Sequence, residues 1–202
     1  MKKKEKIIYS ILVMLSIIFI ILGYSLKVRV YRGKEYTERN EIALYIYKYR
    51  ELPSNYIKKE DNPYQTTKEA LENGYSFGGS IFDYKGEITE YTKNEDLREA
   101  DYYPNLEENL AKESYGPGES ARGKYRLVYT ASGKKEVFYS ESHYNQKPKN
   151  NFKRLSIARI NLASNIMWIC FGQTFSGVIV MTIFIEMREN KKGKVLLNGK
   201  KI

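Results

Sequence analysis

Histidine, cysteine and tryptophan each occur once in these 202 residues, and proline only five times. The lone thiol, Cys170, lies in an uncharged apolar stretch. No disulfide can therefore close within the polar part of the chain, whose core must hold unaided. Any chemistry that needs an imidazole falls to His143. Internal repeats and low-complexity tracts are absent. Charge is missing from two stretches, residues 7–26 and 160–185. Each is long enough to cross a hydrocarbon layer of about 30 Å as a helix.

Four lysines precede the first stretch, as in a secretory signal. Its apolar part exceeds the usual signal core of about 7–15 residues, and no A-x-A site follows, which favours an anchor. The second stretch carries Asn161, Asn165 and Gln173. Such amides need partners in a membrane or places near its surface. These stretches divide the chain into a tip and first span (1–26), a central domain (27–155), a second span (156–187) and a basic tail (188–202).

Dividing the charge in the same way removes an easy inference. The chain is +10 overall, but residues 27–155 hold 23 basic and 21 acidic side chains, a net of only +2. The basicity is thus mainly at the flanks, where cytoplasmic ends of membrane proteins carry it. The expected arrangement has two spans in a cell membrane, both termini cytoplasmic and the domain extracytoplasmic. Lys27, Arg29, Arg32, Lys153 and Arg154 flank the other side, but long loops translocate largely regardless of charge.

Within the central domain, residues 27–36 read as a linker. Residues 37–51 read as an amphipathic helix with Thr37 as cap, since Ile42, Tyr45, Ile46 and Tyr49 recur at helical spacing. A shorter helix is expected at 66–73, where Thr66 and Glu69 form a capping box and Gly74 suits the stop. Strand signals follow at 80–82, 97–102, 122–129 and 136–144. Helices first and strands later imply an α+β domain, its helices packed on an antiparallel sheet.

The strand alternation allows Glu99, Arg126 and His143 to share one sheet face. The plain reading of two such strand charges is a cross-strand ion pair. The chemical reading is a base, a fixed cation and a titratable acid. That set suits metal-independent RNA cleavage. A carboxylate takes the proton of the 2′-OH, an imidazolium protonates the leaving oxygen, and arginine holds the phosphoryl charge. The product is a 2′,3′-cyclic phosphate, and DNA, lacking the nucleophile, is not cut.

Five motifs in order carry a resemblance. They are Leu52-Pro53-Ser54-Asn55-Tyr56-Ile57, Gly78-Gly79-Ser80-Ile81-Phe82, Arg98-Glu99-Ala100-Asp101, Arg122-x-x-x-Arg126-Leu127-Val128-Tyr129, and Tyr139-Ser140-x-Ser142-His143-Tyr144. Over about residues 40–145 the chain resembles the barnase-like microbial ribonucleases, a guanyl-preferring family. The resemblance implies a general base at Glu99, a general acid at His143 and phosphate-binding arginines at Arg122 and Arg126. It also implies a base-stacking ring at Tyr144. The phosphate-site lysine is Lys59 when counted from Asn55-Tyr56-Ile57, or Lys68 when counted from the following helix, because residues 60–65 read as an insertion. The family's guanine loop, Phe-x-Asn-Arg-Glu-Gly, is replaced by Phe82-Asp83-Tyr84-Lys85-Gly86-Glu87. Phe82 and Glu87 are the candidate base contacts there, and the exchanged order leaves guanine preference open.

The resemblance implies an endoribonuclease for single-stranded RNA, with no cofactor and no metal. Were the domain cytoplasmic, it would need an acidic protein inhibitor. The alternative is a catalytically silent ribonuclease-like sensor in the membrane. A third reading is a structural membrane protein whose tyrosines serve as contacts.

Overall fold

Helix α1 (Lys3–Ser25) and helix α6 (Leu162–Asn198) take up the two charge-free stretches. The computed structural model describes residues 3–82, 96–114, 120–142 and 152–198, excluding the side chains of 192–198. The chain divides into two compact units, Met1–Lys27 with Asn161–Ile202, and Val28–Ile160.

In the first unit α1 and α6 form an antiparallel hairpin. Ser16 Oγ donates to Thr174 Oγ1 at 2.9 Å, Ser164 Oγ donates to the Gly23 carbonyl at 2.7 Å, and Arg188 pairs with Glu5. Gly23 permits the close approach, since a Cβ there would stand 3.2 Å from Trp168 Nε1. Both helices are long and apolar enough to cross a membrane.

The second unit is an α+β domain built on a six-stranded sheet in the order β1-β2-β3-β4-β5-β6. The strands are β1 (Tyr56–Ile57), β2 (Ser76–Ile81), β3 (Leu97–Asp101), β4 (Arg126–Thr130), β5 (Val137–Ser140) and β6 (Lys153–Arg154). The sheet is mixed, which corrects the antiparallel expectation: β1 runs parallel to β2 and the other pairs are antiparallel. The parallel pair arises because the chain crosses over through a 3₁₀ turn (Lys59–Asp61) and helix α3 (Thr67–Glu72) before returning.

Helix α2 (Arg39–Tyr49) buries Ile42, Ala43 and Ile46 against Ala100, Leu127, Tyr129 and Val137 on one sheet face. Its start is two residues later than expected from Thr37, and Glu38 is its N-cap residue. Burying each large aliphatic chain there contributes about 1.5–3 kcal/mol. In α3 half of the capping box forms: Thr66 Oγ1 accepts from Glu69 N at 3.1 Å, but Glu69 Oε2 accepts from Gln65 N, one residue before the cap. Gly74 takes φ +84° at the stop. A further helix, α4 (Leu106–Ala111), was not legible in the sequence pattern.

Both ends of the domain are more involved than linkers. Val30 is buried, its carbonyl accepts from Lys48 and Tyr49, and Tyr36 exchanges two hydrogen bonds with Asn55. At the other end β6 adds to β5. Arg154 clasps the buried Glu136 carboxylate at 2.5 and 2.6 Å. Leu155 and helix α5 (Ile157–Ile160) then pack on the α2 cluster.

Candidate functional site

Pleating sends alternate side chains of β3 and β4 to opposite faces. Ala100, Leu127 and Tyr129 face α2, so Glu99, Asp101, Arg126 and Val128 share the other face. Register then pairs residues across the strands: Asp101 stands opposite Arg126, and Glu99 opposite Val128. On this second face Val128 packs with Phe82 and Phe138, with Phe152 edge-on to Phe82 at 5.5 Å.

The charged cluster is organised around Asp101, whose side chain is fully buried. Its Oδ1 pairs with the Arg126 guanidinium, 3.1 Å from Nε, and accepts from Arg122 Nη2 at 2.8 Å. Its Oδ2 accepts from Arg122 Nε at 2.5 Å and from the Tyr103 hydroxyl at 3.1 Å. The Tyr56 hydroxyl donates to the Asp101 carbonyl at 2.5 Å. Tyr56 can reach it because Gly78 has no side chain. A Cβ at Gly78 would stand 2.9 Å from the Tyr56 ring and 2.8 Å from Leu52.

Arg126 is 3% exposed, and its Nη1 donates to the Tyr125 carbonyl at 2.9 Å. Arg122 lies over Phe77 and extends Nη2 to Glu99 Oε1 at 3.4 Å. Two arginines thus share one buried aspartate, and one of them also touches Glu99. Burial opposes the charge on Arg122, but hydrogen bonds to Asp101 and the fields of Asp101 and Glu99 raise its pKa. Tyr103 is also pushed well up, by burial first and then by Asp101, so it remains a donor at neutral pH.

The structure therefore brings Glu99, Arg122 and Arg126 together, as the alternation allows. The direct cross-strand ion pair is Asp101–Arg126, while Glu99 is held by Arg122. Asp101 stood in the quoted motif without a role, although its place two residues after Glu99 puts it on the same face. Lys59 begins the 3₁₀ turn and is exposed, and among the described residues its ammonium group has no hydrogen bond or ion pair. Lys68 donates to the Lys112 carbonyl at 3.4 Å, where it joins α3 to the end of α4. Phe82 is buried in the third apolar cluster. His143, Tyr144 and Glu87 lie outside the described residues.

On the α2 side of the sheet a cavity of about 580 Å³ is lined by Arg39, Lys124, Glu38, Glu141, Tyr102 and Tyr125, among others. Arg39 stacks on Tyr139 and lies 3.6 Å from Glu141, so the charges there balance. Burial pushes the Tyr102 hydroxyl up to about 12. No group of three or more metal-ligating side chains occurs among the described residues.

No family model matches the chain, and no curated protein matches it either.

Proposed function

We propose that the chain is a membrane-anchored, metal-independent endoribonuclease that cleaves single-stranded RNA through its 2′-OH. The observation that carries this reading is the gathering of Glu99, Arg122 and Arg126 on one face of the sheet around Asp101. Glu99 lies 3.4 Å from Arg122 and its carboxylate is partly exposed, as a general base needs. Asp101 fixes both guanidinium groups before any substrate arrives, and this preorganisation favours charge stabilisation in the transition state. His143 supplies the acid in this scheme, Tyr144 the stacking ring, and Lys59 or Lys68 a further cation. The hairpin of α1 and α6 is the anchor, with both termini inside and the domain outside.

The test uses the full chain in detergent with a single-stranded RNA and EDTA. Cleavage to 2′,3′-cyclic phosphate ends is expected, with the DNA analogue left intact. Glu99→Ala and His143→Ala should each lower the rate about 10²–10⁴-fold. RNA binding without turnover would replace this reading with the silent sensor, and wild-type rates in both variants would sink the assignment of Glu99 and His143. Proteolysis of intact cells checks the orientation, because an outward domain is digested.

A further inference from the structure

The hairpin leaves one polar face of α6 turned away from α1. Asn165, Ile169, Gly172, Gln173 and Ser176 are all exposed on it, within an arc of about 100° of the helix. The residues that meet α1, Ser164, Thr174 and Gly177, centre on the other side of the helix, with Gly177 about 40° round from Gln173 at the edge of the face. Among the described residues neither the Asn165 nor the Gln173 side-chain amide has a hydrogen-bond partner. Ser176 is satisfied by the Gly172 carbonyl at 2.7 Å, and a Cβ at Gly172 would meet nothing within 4 Å.

Gln173 sits at the middle of the uncharged stretch 160–185, about 18–20 Å from either end. In a bilayer that places its amide near the centre of the hydrocarbon, where lipid offers neither donor nor acceptor. The amide could not be moved to the interface by tilting alone. Its partner must come from another helix, and Gly172 and Ser176 beside it leave room for a backbone to come close.

We propose that this face of α6 joins two copies of the chain side by side in the membrane, with the two Gln173 amides hydrogen-bonded to each other. The inference rests on the membrane reading of the hairpin. Two copies inserted the same way present α6 in parallel, so a two-fold axis brings Gln173 opposite Gln173 and Gly172 opposite the same surface. An amide both donates and accepts, so an identical amide opposite it can exchange two hydrogen bonds with it, each giving one and receiving one. The contact is isologous and closes at two copies.

The experiment uses the full chain in membranes on a Cys170→Ser background. Alkaline carbonate washing comes first; release of the chain would overturn the membrane reading and this inference with it. In retained chains, oxidation should cross-link copies bearing Ile169→Cys, Ser176→Cys or Val180→Cys. Copies bearing Val178→Cys or Met181→Cys, on other faces, should stay single. The association constant read from energy transfer between labelled copies should fall about 3- to 30-fold with Gln173→Leu and be largely kept with Gln173→Asn. Retained chains that show no energy transfer, equal cross-linking at every position, or no response to Gln173→Leu would overturn the pairing. The first of these outcomes would assign the face to a different helix.

Discussion

The two compact units bury polar groups by opposite means. In the α+β domain, charges are buried against charges: Asp101 between two arginines, and Glu136 under Arg154 and Lys134. In the helix hairpin, hydroxyls turn back on the backbone. Ser176 and Thr182 donate to carbonyls one turn earlier, and Ser164 donates across to Gly23. The difference reflects what each unit loses on separation. A buried ion pair in the domain is stabilising only while both partners remain, because either one alone is a desolvated charge. A hydroxyl bonded to its own helix stays bonded when the helices part, so it adds little to the packing.

Asp101→Asn should break this contrast most severely. It leaves Arg122 and Arg126 facing a neutral amide, and the domain should lose about 3–5 kcal/mol in denaturant unfolding. A smaller loss would show that the arginines find water instead.

The second effect is at the sheet edge. Burial works against the Glu136 carboxylate, but hydrogen bonds from Arg154 and Lys134 hold its pKa below the usual value of 4.5. Its stabilisation is therefore complete above about pH 4.5 and disappears as the pH falls through the depressed folded value. Glu136→Gln should cost about 2 kcal/mol at neutral pH. The loss should shrink toward zero in acid, as read from thermal melts across that range.

The smallest effect belongs to the hairpin. Ser16→Ala removes the one hydrogen bond to Thr174 but leaves the helix intact, and should weaken helix association by about 0.6 kcal/mol. A loss as large as that of Asp101→Asn would erase the distinction between the units.

Local signals were the legible ones. Ile42, Tyr45 and Ile46 mark α2 by period, and Thr66 with Glu69 marks α3 by a hydrogen bond spanning three residues. The two charge-free stretches needed only length. Strands β1 and β6 escaped because two residues cannot display an alternation. The central role of Asp101 escaped for another reason: it depends on the register of β3 against β4 and on the return of Arg122, both long-range. Glu99, Arg122 and Arg126 could be nominated from the sequence. Which carboxylate binds which guanidinium could not, since every candidate has the same charges to offer. The linker at 27–36 looked inert because its bonds run from its backbone to distant tyrosine and lysine side chains.

The sheet is laid down in chain order, each strand beside the one made before it. Its last strand and the apolar residues that lock it, Leu155, Ile157 and Ile160, come immediately before the second long helix. During synthesis the domain would therefore be finished only as that helix begins to be made. A chain broken off before residue 152 would keep the catalytic candidates yet leave β5 as a bare edge, open to pairing with other chains.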